Sequence, residues 1–492
     1  MSGRSGLRQS ILTIIILAAL VRFIGLSGLP AALNRDEAAI GYNAYSLLRT
    51  GKDEHGQSWP LNFKSIGDYK MPGYIYATIL PVKLFGLNNF SIRFWSAVAG
   101  VVAVIAVYLI TKNLIAAGLM ALNPWAIFYS RIGFEANLAL ALFLVGLWLL
   151  LGRRWWGYLF WLLAALTYSS SLIFIPLFLL WLKPKLLPTL LFMAVFSLIF
   201  IRVWVVSSQK ANVTIFNDPA TIDYYNQTRT RVYEQNPLLA RTWWNKNIFF
   251  GRVIVANYFK TFTPQFLLTK GGGHPWQQIP NMGYFYAVEI LLALSGLVYL
   301  FRSEHHWRWW LLAWALLAPL ASAITIDAPH ATRSLYLLPI IIILASYGIP
   351  KKKWLKISLL VLYLINLNYF SYQYLVNYPK KTAEHLPLSL EESIKFVESK
   401  NIIGKIYLTG IHDSTYLYPA VYTRFDPSRF QAEAVWTEPD TAGLANAYQF
   451  GQFTVVDDLI DVINPAAIIL PTKFSYPKDP AFSSGNYKVI TW

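Results

Sequence analysis

The 492-residue chain contains no cysteine, which excludes disulfides and thiolate metal sites. Charge is scarce too: 14% of residues are charged, where a soluble domain is nearer one-quarter. Acid is the poorer half of it, with 25 Asp and Glu against 42 Lys and Arg, a net charge of +17. The basic residues are scattered between apolar runs. That pattern fits cytoplasmic loops against anionic lipid and argues against nucleic acid as a partner. No internal repeat or low-complexity segment stands out. What is abundant is apolar: 55% of residues are hydrophobic and the mean hydropathy is +0.41. Many of the 19 Trp, 30 Tyr and 30 Phe sit at the ends of apolar runs, where aromatic belts meet headgroups. These features predict an all-α polytopic membrane protein in contact with membrane lipids.

Arg4 and Arg8 precede the first apolar run, about 11–26, which reads as an uncleaved first span with the N-terminus inside. Further apolar runs cover about 72–87, 92–110, 114–130, 136–151, 156–169, 171–182, 186–206, 284–301, 307–325, 334–349 and 354–371. Counting every run as a span puts Arg153/Arg154, Lys183/Lys185, Arg302/Arg308 and Lys351–Lys353 outside, against the positive-inside rule. The run at 72–87 is short and carries Pro72, Pro81 and Lys83, which suits an interfacial helix better than a span. Removing it leaves eleven spans, and those basic groups fall inside together with Lys112. Residues 27–91, 207–283 and 372 onward are then external. A polar hairpin at Thr167–Ser171 implies a cavity within the membrane face. The chain reads as a transmembrane domain over 1–371 and an external α/β module over 372–492. In that module LSLEESIKFVESK has helical periodicity, while KIYLTG, FTVVDD and AAIILPT read as strands.

Four external sites carry chemistry. Asp36 and Glu37 open the first loop in LNRDEAAIGYNAYSLL. They can act as a general base or as ligands of a hard cation, or simply complement the dipole of the helix that follows. Lys70 in IGDYKMPGYIY sits at headgroup level, where it can hold a lipid phosphate or snorkel. Glu135 lies in a tight turn between two spans, with Arg131 at i−4 as its expected partner. That pair can serve substrate binding or close the helix hairpin. Asp327, His330 and Arg333 crowd one external turn, where His330 and Arg333 can clamp a phosphate ester or pyrophosphate, or merely line the interface. His274 in KGGGHPW reads as a solvated loop residue.

The order of these motifs resembles a known family. A first span, the loop RDEAAIGYNA, the segment YKMPGYIYATILPVKLFG, then FSIRFWSAVAG and NPWAIFYSRIGFEANLAL are similar to the GT-C superfamily of glycosyltransferases. Within it they stand near the protein O-mannosyltransferases and the lipid A aminoarabinose transferase. The resemblance covers about residues 8–371. It implies transfer of a sugar, with inversion, from a polyprenyl-phosphate-sugar donor to a lipid, glycan or protein acceptor. The site would be extracytoplasmic, in a bacterial or archaeal plasma membrane. Carried over by position, Asp36 would be the general base, Lys70 would hold the donor phosphate, and Glu135 would be the second acidic group. No cofactor is required, and a divalent cation at Asp36 and Glu135 is an option, as in the related oligosaccharyltransferases. The chain departs from the mannosyltransferases at Lys70-Met71-Pro72, where they carry His-Pro-Pro. Two other readings stand beside this one. One is a transporter or flippase, which would favour mid-membrane charges and paired repeats. The other is a GT-C enzyme that transfers an oligosaccharide.

Overall fold

The structure is a computed structural model that describes residues 2–66, 68–182, 186–207, 213–303, 307–382, 388–409, 415–440, 443–474 and 476–492. Lys183 and Lys185, counted above as cytoplasmic, lie outside the described residues. The chain is mostly helical and divides into two compact units. The first comprises residues 1–21, 99–128 and 136–374, the second residues 22–98, 129–135 and 375–492.

The first unit is built of apolar helices. Among the described residues, three helices are long and apolar enough to cross a membrane: Gly6–Phe23, Asn89–Thr111 and Lys353–Thr382. A fourth crossing arises if Pro124–Ser130 and Glu135–Leu151, bent by 115°, count as one broken span. Other apolar runs form shorter helices such as Gly157–Thr167, Ala287–Arg302 and Leu337–Tyr347, while Leu186–Ser207 has 22 residues. Charge counting expects eleven spans, and among the described residues several of the other apolar runs form helices that are shorter or bent. Proline is one cause: Asn123 caps one helix and Pro124 opens the next. Only 6% of the most apolar stretch of Lys353–Thr382 is buried against protein. Trp354, Leu360, Leu364 and Ile365 on this helix are all exposed, so hydrocarbon is the solvent that such a surface requires. Two other helices, Ala287–Arg302 and Leu337–Tyr347, meet backbone to backbone. A Cβ on Gly296 would collide with the Leu344 carbonyl, and one on Gly348 with that of Leu292.

The second unit joins the first long loop to the C-terminal segment. Helix α1 (Ser2–Phe23) leads into the loop that contains α2 (Arg35–Thr50), the short hairpin β1 (Phe63–Lys64) and β2 (Tyr69–Lys70), and α3 (Pro72–Phe85). Helix α3 has 14 residues, too few to cross hydrocarbon, in keeping with an interfacial segment. Next comes α4 (Asn89–Thr111). The C-terminal segment is a seven-stranded mixed sheet with strands β3 (Ile406–Thr409), β4 (Val435–Trp436), β5 (Ala447–Phe450), β6 (Phe453–Val456), β7 (Ala467–Pro471), β8 (Phe482–Ser484) and β9 (Tyr487–Thr491). Their order is β4-β5-β6-β3-β7-β9-β8, with β3 parallel to β6 and β7 and the other pairs antiparallel. Three of the strands and the helix Leu388–Ser399 fall where the sequence pattern puts them.

Helix α2 packs on this C-terminal segment. Tyr42 meets Phe430 edge to face at 5.2 Å, and its hydroxyl donates to the Phe425 carbonyl at 3.2 Å. The Gln431 amide donates to Ser46, Thr50 and the Asp53 carbonyl at 2.8–3.1 Å. Loop and C-terminal segment therefore lie on one side of any membrane.

Candidate active site

The start of α2 separates two adjacent carboxylates. Asn34 is the N-cap: its side chain accepts from the Glu37 N–H at 3.0 Å, while a Glu37 carboxylate oxygen accepts from the Asn34 N–H at 3.1 Å. This capping box fixes Glu37 at the third helical position, pointing back into the protein. There Arg93 donates to it through Nε at 2.7 Å and Nη2 at 3.2 Å, and the Gly133 N–H donates at 2.8 Å. Both members of the pair are buried. Arg93 also donates to the carbonyls of Leu26, Pro30 and Ala32, which ties the loop to the start of α4. A Cβ at Gly133 would meet Glu37 and Ile92 at 3.3 Å, so these neighbours would have to give by a few tenths of an ångström.

Asp36, one residue earlier and about 100° around the helix, faces a different environment. Lys70 Nζ lies 2.9 Å from Asp36 Oδ1, 3.7 Å from Asp68 and 3.8 Å from Glu135. The hairpin sets Lys70 by pairing it with buried Phe63. Burial alone would pull the Lys70 ammonium down. Asp36, Asp68 and Glu135 outweigh it and hold the group well above the usual lysine range. The cluster holds three carboxylates and one ammonium. Asp36, at 23% side-chain exposure, is more accessible than Lys70 at 8% or Glu135 at 10%. The Lys70 ammonium already fills the space between Asp36 and Glu135 that a divalent cation would need, so the residues present do not fit a metal there.

The structure thus brings Asp36, Lys70 and Glu135 together and turns Glu37 into the neighbouring ion pair. The expected Arg131–Glu135 partnership is replaced. The chain bends between Ser130 and Glu135, so i−4 geometry is lost. Arg131 donates instead to the carbonyls of Arg22 and Leu29 at 3.3 and 3.2 Å, and Lys70 is the cation beside Glu135. Sequence reasoning missed Arg93 and Asp68. The signals were an arginine in the opening turn of a span and an acid two residues before Lys70.

His330 and Arg333 belong to a cluster within the first unit. The Arg333 guanidinium pairs closely with Asp327 Oδ1, while Asp327 Oδ2 lies 3.3 Å from His274 Nε2 and 3.4 Å from His330 Nε2. Burial would raise the Asp327 carboxyl, but the His274 contact and the charges of Arg333 and His330 hold it well below the usual range.

The chain shares its fold with a solved glycosyltransferase structure, ArnT. Among solved structures, ArnT from Cupriavidus metallidurans in the apo state is similar to this chain at a TM-score of 0.54 and 14% identity, covering 97% of each chain. The same protein bound to undecaprenyl phosphate gives a TM-score of 0.50, 14% identity and 97% coverage of each. The archaeal oligosaccharyltransferase AglB from Archaeoglobus fulgidus, in complex with an inhibitory peptide and a dolichol-phosphate, gives 0.47 and 11% over 92% of this chain and 75% of that one. No protein-family model and no curated protein sequence matches the chain.

Proposed function

We propose that this protein is a glycosyltransferase that moves a sugar from a polyprenyl-phosphate donor to an acceptor at the extracytoplasmic membrane face, with inversion. The observation that carries the reading is the Asp36–Lys70–Glu135 constellation, held by a capped helix and a hairpin within a GT-C fold. ArnT, with the same fold, binds undecaprenyl phosphate, which supports a lipid phosphate as the donor's leaving group. The transmembrane part over 1–371 carries the reaction and 372–492 forms the external module. Packing of α2 on the C-terminal segment supports a shared side for these regions, within an eleven-span topology. Lipid, glycan and protein acceptors all remain open to the chemistry.

The acceptor heteroatom attacks the anomeric carbon from the face opposite the phosphate. The bond from that carbon to the phosphate oxygen breaks, and its electron pair leaves with polyprenyl phosphate. The acceptor proton passes to Asp36, the general base, for which about 10²–10⁴-fold is the usual contribution. Lys70 meets the developing charge on the phosphate as a point cation. Before donor binds, the same ammonium pairs with Asp36 at 2.9 Å. A donor phosphate that draws Lys70 to itself leaves Asp36 free to take a proton only when donor is in place. Glu135 and Asp68 keep Lys70 charged. Glu37 and Arg93 form the buried pair that holds the start of α2 in the protein. His330 and Arg333, expected to clamp a phosphate, both face Asp327, so the reading rests the donor phosphate on Lys70.

The test is an assay of purified protein with a panel of polyprenyl-phosphate sugars, with UDP- and GDP-sugars beside them, reading release of lipid phosphate. Turnover confined to lipid-linked donors supports the proposal. Turnover with nucleotide sugars only, or with neither class, overturns it.

A further inference from the structure

We propose that His274, Asp327 and His330 form a binding site for a divalent transition metal, with zinc as the ion their donors suit best. The inference stands without the glycosyltransferase reading, and the site lies wholly within the first unit. Its three donors come from two distant segments. His274 follows Gly271–Gly273 in one loop, and Asp327 and His330 share the turn before the helix Leu337–Tyr347. The three ligand atoms lie within 4.8 Å of one another.

Distances decide between a metal site and a hydrogen-bonded network. Both imidazole Nε2 atoms converge on one carboxylate oxygen, Asp327 Oδ2, at 3.3 and 3.4 Å. Charge-assisted hydrogen bonds are shorter, about 2.7–2.9 Å. Zinc bonds of about 2.0–2.1 Å at tetrahedral angles put neighbouring donors about 3.4 Å apart. The two separations from Asp327 Oδ2 match that tetrahedral edge, and the third pair lies within 4.8 Å. Two imidazoles and one carboxylate also favour zinc or a similar first-row ion over calcium or magnesium, which take oxygen ligands.

The surroundings orient the donors as metal sites require. Arg333 engages the far oxygen, Oδ1, and leaves Oδ2 for the metal. The His330 N–H donates to Ser322 Oγ at 2.7 Å, which fixes the turn. His274 stacks on Trp276 at 5.3 Å. The Arg333 N–H lies 3.4 Å from His330 Nδ1, a long contact. Metal at Nε2 would move the ring proton to Nδ1 and give that contact up. His330 is buried, whereas His274 and Asp327 are partly open, so a fourth position faces water. An ion here would cross-link two loops about fifty residues apart in sequence.

The experiment uses the full-length protein in detergent, stripped with chelator, dialysed and titrated with Zn²⁺, with Co²⁺ as the spectroscopic substitute. Stoichiometric Zn²⁺ uptake and the intense visible bands of low-coordinate Co²⁺ are expected. His274→Ala and Asp327→Asn should each weaken Zn²⁺ binding at least 100-fold and abolish those bands. Arg333→Lys, which disturbs only the outer contact, should cost about 10–100-fold. His274 lies in a loop outside the helices and is partly open to solvent, and size-exclusion elution checks each variant. Absence of stoichiometric binding by the unaltered protein, or unchanged binding in folded His274→Ala and Asp327→Asn, overturns the proposal.

Discussion

Asp36 and Glu37 are adjacent carboxylates, and the structure predicts that neutralising each will do opposite things. Glu37 accepts five hydrogen bonds: from Arg93 Nε and the Gly133 N–H on one oxygen, and from Arg93 Nη2, the Asn34 N–H and the Asn34 amide on the other. The amide introduced by Glu37→Gln turns an NH2 group toward two or three of these donors whichever way it is set, and it leaves the buried Arg93 without a counter-charge. Removing one partner of a buried pair costs about 3–5 kcal/mol, about a fifth or more of a typical stability of about 5–15 kcal/mol. Asp36→Asn costs far less, because Lys70 keeps Asp68 and Glu135. It should instead lower kcat by on the order of 10²-fold or more. Each variant would be purified alongside the unaltered protein. Thermal unfolding would be followed by size-exclusion chromatography, and turnover measured on the folded fraction only. Glu37→Gln should unfold at distinctly lower temperature while its folded fraction keeps most of its turnover. If Glu37→Gln folds normally and loses turnover as severely as Asp36→Asn, Glu37 is in the chemistry and the division of roles is wrong.

Three further outcomes are expected. Lys70→Ala should reduce kcat/KM for the lipid-linked donor about 10–100-fold, the worth of a charged hydrogen bond, whereas Lys83→Ala on α3 should change it little. Equal, small effects would reduce both lysines to membrane anchors. Burial pushes the Glu54 carboxyl up to about 8, while burial pulls His55 down to about 4. Between about pH 4.5 and 6.5 the folded state holds the Glu54 proton and the unfolded state the His55 proton, so the two slopes oppose. From about 6.5 to 8 Glu54 alone of this pair contributes, and its share of the stability should fall as pH rises, by on the order of 1–2 kcal/mol. Unfolding followed across this range should show a fall in the unaltered protein that is smaller in Glu54→Gln by that share; a fall unchanged in Glu54→Gln assigns it elsewhere. Finally, in this cysteine-free chain, Lys400→Cys should react with an impermeant maleimide in intact cells and Arg154→Cys only after permeabilisation. The reverse pattern would overturn the topology.

What the sequence made legible was the set of charges placed beside apolar runs. Asp36, Lys70 and Glu135 stood out because a charge at a membrane boundary is costly without a purpose, and they converge within 4 Å of one ammonium. What it could not give was direction. Asp36 and Glu37 carry the same chemistry, and which one faces the core depends on Arg93, 56 residues away. The local half of the answer was present in Asn34, followed three residues later by Glu37, a capping-box spacing that commits the glutamate to the helix start. The same limit explains His274. In sequence it is a lone loop histidine, and only folding sets it 3.3 Å from Asp327, 53 residues on. The i−4 spacing misled on Glu135 for a related reason. It assumed that a helix continues from Arg131, and the bend at Gly133 removed that partner and exposed the carboxylate to Lys70. Gly133 has two consequences: its N–H holds Glu37 in the core, and the turn it occupies delivers Glu135 to the ammonium. A side chain at Gly133 should therefore disturb both carboxylates at once, although the two lie far apart in sequence.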